Sequence, residues 1–244
     1  MNEGGNIRYY DENGDLQADA IVRIGKDLYG FDADGKKLPE GKYKRIEDGT
    51  GIRYEAADIS EADYYVGLDG RIVTGWYRPD GSDSQYYFSV ETGKKLTGVH
   101  KIGTERYFFE DTGAASQVRN GWANASEKKY YVTSKGSLQT GWLDLGEARY
   151  YFGMDGIRAD GVVRAGTKLY FQTEDGIVRS SGGKSVSDND GLITVVNEKG
   201  VIQTGWQTVN GDKYYIDKTS GLALTGYQQV KGVWYDFAMD GKLS

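Results

Sequence analysis

A chain of 244 residues would ordinarily form one or two globular domains, but only 38% is hydrophobic, and 20 Tyr, 7 Phe and 5 Trp supply much of its apolar area, which argues against a large central core. A net charge of −6 with both signs interspersed leaves no basic stripe to track a phosphate backbone, so nucleic acid is excluded as an expected partner. Cysteine is absent, which removes both a disulfide framework and a thiolate metal site.

Helical signals are nearly missing, and 36 Gly with 2 Pro suit dense tight turns rather than a proline-rich linker. No run approaches the roughly 20 apolar residues of a membrane span, so no membrane insertion is expected. The opening MNEGGNIRYY lacks the charged and apolar regions of a secretory signal.

In chain order, Ile7 to Leu16 and Leu28 to Leu38 read as hairpins without a Gly-Trp mark, and residues 1–38 are expected to form an atypical capping end. Residues 39–63 stretch the period: Arg53-Tyr54 reads as half a hairpin whose turn has been replaced by EAADISEAD. Regular repeats fill 64–179. A polar, turn-rich stretch at 180–194 is expected to bulge as a loop. Regular repeats resume over 195–244, where Thr204 to Gly226, TGWQTVNGDKYYIDKTSGLALTG, gives the fullest copy of the unit. The whole of 1–244 is thus expected to be a single repeat domain.

The period is carried by turn glycines at Gly14, Gly35, Gly70, Gly93, Gly113, Gly136, Gly156, Gly176, Gly200, Gly221 and Gly241, spaced 20 to 24 apart except for one step of 35 from Gly35 to Gly70. Aromatic pairs precede most of them, among them Tyr64-Tyr65, Tyr86-Tyr87, Tyr130-Tyr131, Tyr150-Tyr151 and Tyr214-Tyr215, with Val195-Val196 and Trp234-Tyr235 in the same place. Between them recur Gly75-Trp76, Gly121-Trp122, Gly141-Trp142, Gly205-Trp206 and Gly226-Tyr227. Strand signals around glycine-containing turns read as β-hairpins. Such hairpins are marginal alone but stable when stacked, so the expected fold is all-β, a β-solenoid of stacked hairpin repeats of about 20 residues. The glycine before each Trp is expected to permit close backbone approach.

These residues resemble the cell-wall-binding repeat superfamily. GWQTVNGDKYYIDKTSGLALTGY, GWLDLGEARYYFGMDGI and GVWYDFAMDGKL carry the likeness, which covers nearly the whole chain. The superfamily includes choline-binding repeats of Gram-positive surface proteins, glucan-binding repeats of streptococcal glucosyltransferases and the repetitive oligopeptides of large clostridial toxins. What the resemblance implies is a non-catalytic module of a secreted or surface protein, extracellular, that needs no cofactor. Its expected partners are cell-wall polysaccharide, teichoic acid or host glycan.

In choline-binding repeats a Trp precedes the Tyr-Tyr pair and aromatics box the quaternary ammonium. Here the preceding residue is Arg8, Gln85, Arg106, Lys129, Arg149 or Lys213, and only Trp234 matches. A cation at this position repels choline and can itself cover the aromatic face. The pattern therefore looks more like the toxin and glucan-binding branches, and a sugar suits it: its C–H face stacks on an aromatic ring while polar side chains meet its hydroxyls. The expected ligand-binding residues are Trp76, Trp122, Trp142, Trp206, Tyr227, Trp234, Tyr130, Tyr150 and Tyr214. The alternatives are a choline or teichoic-acid anchor, with Tyr227 and Trp234 as its site, and a structural spacer whose aromatics only pack.

No catalytic residue is expected. His100 is the only histidine and no nucleophile accompanies it. Asp34, Asp69, Asp155, Asp175 and Asp240 each precede a turn glycine, where turn chemistry accounts for them. Asp188, Asn189, Asp190 and Gly191 form a scrap of a calcium loop without its first and distal ligands, so no metal site is expected.

Overall fold

The computed structural model describes residues 2–3, 6–49, 51–179, 184–187 and 193–244. Within these residues every regular element is a strand, paired antiparallel in sheets of two or three. The expected all-β architecture of stacked hairpins is what the chain adopts.

Most repeats are a five-residue ladder such as Gly205–Val209 against Asp212–Ile216, in the register Trp206↔Tyr215 and Val209↔Asp212, and the Trp76 repeat has a three-residue one. Its two-residue turn, Asn210-Gly211, has positive φ at both positions, the backbone that matches strand twist in a hairpin. The chain then makes a second turn, at Gly221, and closes with a single bridge, Ile216↔Ala223. The period-marking glycines therefore close bridged turns, and the hairpin ladders are closed one turn upstream. Around the second of them, Gly35, the ladder is Ala20–Ile24 with Asp27–Phe31, and Leu28 to Leu38 is most of its second strand plus the bridged turn.

The second turn joins one repeat to the one before it. Two residues beyond the turn glycine, a backbone N–H donates to a carbonyl at the start of the earlier repeat's second strand. Ile72 donates to Leu28, Lys95 to Asp63, Leu138 to Arg106, Arg158 to Lys129, Ala223 to Ile193 and Leu243 to Lys213, at 2.7–2.8 Å. A hairpin alone leaves these groups open. Stacking satisfies them and buries one large side chain per repeat. That side chain ends the strand before the bridged turn: Phe31, Val66, Phe88, Phe109 and Val132, then Phe152, Val196, Ile216 and Phe237, all nearly inaccessible. Each contributes about 2–3 kcal/mol.

Glycine has a different job at each of its two recurring positions. A Cβ on Gly141, which precedes Trp142, would meet nothing within 4 Å, yet its φ is +68°. Positive φ, and not close approach as the sequence suggested, accounts for this glycine, because an L side chain is strained there. Close approach occurs at the bridged turns: a Cβ on Gly93 would lie 2.5 Å from Cγ2 of Ile72.

Contacts divide the chain into two compact units, Met1–Gly121 with Val132–Leu138, and Trp122–Tyr131 with Gln139–Ser244. In the first, residues 39–63 form more than the half hairpin read from Arg53-Tyr54. Gly41–Asp48 pairs with both Gly51–Ala56 and Tyr64–Val66 in a three-stranded sheet. The long first strand supplies the partner that the shorter period elsewhere cannot accommodate. Next to it, Lys95 is buried and its Nζ donates to the carbonyls of Ile59, Ser60 and Thr112. Burial pushes this ammonium down to about 8, with Asp63 opposing the shift.

In the second unit the expected loop at 180–194 falls mostly outside the described residues, as does the Asp188 to Gly191 segment. Within that stretch Lys184–Ser187 pairs with Ile193–Val196. The repeat just before it is also irregular. Thr173↔Gly176 and Gln172↔Ile177 close a tight pairing around Glu174-Asp175, one residue short of the Phe152↔Arg158 spacing in the preceding repeat.

Candidate functional site

Antiparallel register places each Gly-Trp tryptophan opposite the second aromatic of its own hairpin. Trp76 faces Tyr87, Trp142 faces Tyr151 and Trp206 faces Tyr215. Stacking then brings up the first aromatic of the next hairpin. The Trp206 ring lies 5.2 Å from Tyr215 and 4.9 Å from Tyr235, both edge-on, and 6.0 Å from Phe237. The same set recurs as Trp76 with Tyr87, Tyr107 and Phe109, and as Trp122 with Tyr131, Tyr150 and Phe152. Edge-to-face packing fixes the indole while leaving part of its face to solvent. Trp76, Trp122 and Trp206 keep 43%, 40% and 40% of their surface exposed.

At Trp206 this leaves a recess of about 330 Å³ lined by Trp206, Gln207, Thr208, Lys213, Tyr235 and Leu243. Such a lining, an aromatic wall with an amide, a hydroxyl and one ammonium, matches the two faces of a sugar ring. Lys213 is the residue before the tyrosines and sits at the rim, where choline would meet its charge.

Trp142 is built differently. Its ring meets Tyr151 at 5.0 Å and Tyr170 at 4.8 Å, but the core position of the next hairpin is Gln172 instead of phenylalanine. Gln172 is fully buried. Its Oε1 accepts from the Tyr151 N–H at 2.6 Å, and its Nε2 donates to the carbonyls of Ala159 and Tyr151. The side-chain amide thus supplies hydrogen bonds between repeats where the tightened turn cannot. The Arg149 guanidinium covers the Trp142 ring at 4.5 Å, occupying the aromatic face as the basic residue at this position was expected to do.

The last hairpin holds a third arrangement. Tyr227 and Trp234 stack at 4.9 Å with their planes 5° apart, and both are exposed, at 67% and 54%. Trp234 occupies the diagonal position that Arg149 holds beside Trp142.

Of the tyrosines singled out in sequence, Tyr130, Tyr150 and Tyr214 are all buried, and Tyr150 is also the inner wall of the Trp122 cluster. Burial pushes the hydroxyls of Tyr130 and Tyr214 upward. Sequence reasoning missed Tyr87, Tyr107, Tyr170, Tyr215 and Tyr235 as cluster members, although the alternation of faces along each aromatic pair was a signal that could have assigned the second ring to its own tryptophan. The aspartates preceding turn glycines act in the turns: Asp69, Asp155 and Asp240 each accept the backbone N–H two residues on. His100 Nε2 pairs with the Thr97 carbonyl at 2.8 Å.

No family model matches the chain. It is 27% identical over 248 aligned residues to glucosyltransferase-I of Streptococcus downei, covering 91% of this chain and 14% of that protein. It is 29% identical over 250 to glucosyltransferase-S of Streptococcus mutans serotype c, covering 96% and 15%. The chain therefore spans about one seventh of the length of these relatives. Among solved structures, choline binding protein F of Streptococcus pneumoniae, in the presence of a peptidoglycan analogue, aligns over 99% of this chain and 84% of that one at 20% identity and a TM-score of 0.47. With its hairpin period, its aromatic pairs and its likeness to the streptococcal glucosyltransferases along nearly its full length, the chain is similar to the cell-wall-binding and choline-binding repeat superfamily.

Proposed function

We propose that this chain is a non-catalytic saccharide-binding module of a secreted or surface bacterial protein, which holds a cell-wall polysaccharide or glucan in the grooves between its hairpins. The observation that carries this is the threefold recurrence of one half-exposed tryptophan fixed edge-on by two tyrosines, at Trp76, Trp122 and Trp206. A ring that served packing alone would gain from full burial, at about 25 cal/mol for each Å² of apolar surface. Here the same fraction stays open at each site. Each groove is shallow and binds weakly alone. A polymer engaging several grooves gains on the order of 10² to 10⁴ in affinity over one site. The relatives are glucosyltransferases, so glucan is the first ligand to test.

A quaternary ammonium is the second reading, favoured by the exposed Tyr227–Trp234 stack alone. Calorimetry against dextran, repeated with excess choline, separates the two. Saccharide grooves predict dextran binding that choline leaves intact and that Trp76→Ala with Trp122→Ala and Trp206→Ala abolishes. Dextran binding unchanged in the triple variant would refute them. A choline response lost in Trp234→Ala would support the second reading.

A further inference from the structure

The groove beside Trp142 has a charge pattern that the saccharide reading does not use. A recess of about 400 Å³ opens there, walled by Trp142 and Tyr170. Its lining carries four cations, Arg149, Lys168, Arg179 and Lys199, and one carboxylate, Glu198. The corresponding recess at Trp206 has one cation, Lys213. A local excess of three positive charges stands out in a chain whose net charge is −6.

Three of these cations are not committed elsewhere. Lys168, Arg179 and Lys199 are exposed, and none is paired with a carboxylate among the described residues. Arg149 lies on Trp142 with its Nε 3.3 Å from an oxygen of Asp144. Arg149 still lines the recess, and the planar donors of a guanidinium suit an oxyanion. Convergent like charges cost energy unless an anion joins them, and a concave wall focuses their field. They also oppose a choline ammonium.

We propose that the Trp142 groove binds an oxyanion carried on a sugar or polyol chain, a carboxylate or a phosphate, while the Trp76, Trp122 and Trp206 grooves take neutral saccharide. This extends the saccharide-binding reading and stands on a different observation, the charge of one recess. The irregular repeat is what builds it: Arg179 follows the tightened turn after Gln172, and Lys199 comes from the following bridged turn.

The test measures binding of the intact chain to three probes at low salt: oligogalacturonate, poly(glycerol phosphate) free of choline, and neutral dextran. Binding is then repeated with Lys168→Gln, Arg179→Gln and Lys199→Gln combined, all surface changes away from the Trp76, Trp122 and Trp206 grooves. The expected result is a loss of about tenfold for the anionic probes, from three exposed charge contacts, with dextran unaffected. Raising salt should weaken anion binding in the wild type and leave dextran binding level. Response to one anionic probe identifies carboxylate or phosphate as the source; response to both supports the shared oxyanion chemistry. Anion binding equal in wild type and variant, or absent in both, overturns the proposal even if dextran binds. Failure of dextran with variant-sensitive anion binding overturns the neutral grooves and leaves this one standing.

Discussion

The Trp206 and Trp142 grooves start from the same Gly-Trp and Tyr-Tyr sequence pattern and end as different surfaces. At Trp206 the next hairpin supplies Tyr235 and Phe237, and the tryptophan face stays open. At Trp142 the next hairpin supplies Tyr170 and Gln172, and Arg149 closes the face. Part of the difference lies in the hairpin itself, Arg149 against Lys213, and part in a neighbour about 20 residues downstream, since each groove is made by two repeats. A repeat's own sequence therefore fixes only half of the site it opens.

The sharpest way to break this comparison is to remove the buried floor of the open groove. Phe237→Ala should cost about 3–5 kcal/mol, read from the denaturant midpoint, and should free the Trp206 ring to move. Next comes the floor of the closed groove. Gln172→Leu keeps the volume but strands the Tyr151 N–H and the carbonyls of Ala159 and Tyr151, so a loss of about 2–3 kcal/mol is expected. A neutral outcome in the same measurement would mean that the amide does not join these repeats.

Arg149→Ala should be milder. The cation–π contact contributes about 0.5–1 kcal/mol at an exposed site, and its removal should let Trp142 take up dextran like the other three tryptophans, seen as added indole quenching. A further effect lies outside the tryptophan grooves and leaves their comparison unchanged. Burial pushes the hydroxyls of Tyr54 and Tyr77 up to about 12. The unfolded chain releases these protons near pH 10 and the folded chain retains them. Their contribution is thus fully present below pH 10 and is lost as pH rises through 12. Urea midpoints measured across that range should fall together with tyrosinate absorbance.

The period, the strands and the turn aspartates were legible in the sequence because each depends on residues close in the chain: a glycine at positive φ, an aspartate two residues before the N–H it accepts, an alternation along one strand. Register was less so. Gly221 and Gly211 look equivalent as turn signals, and only the bond from Ala223 to Ile193 shows that one turn links repeats while the other closes a ladder. The same limit hid the pairing of Gly41–Asp48 with two strands. Within the candidate site, the tryptophans could be named from their Gly-Trp mark. Tyr235 and Phe237 could not be assigned to Trp206, nor Gln172 to the Trp142 neighbourhood, because those contacts exist only after stacking. The burial of Tyr130, Tyr150 and Tyr214, each the first ring of its pair, was not legible for a local reason: in Tyr-Tyr both residues look alike, and the hairpin register decides which faces the core.

The most direct test follows the five indole N–H resonances of the ¹⁵N-labelled chain while an isomaltooligosaccharide is added. Binding in the open grooves predicts that Trp76, Trp122 and Trp206 shift together and Trp142, under Arg149, shifts least. Five unmoved indoles, or a shift confined to Trp234, would contradict it.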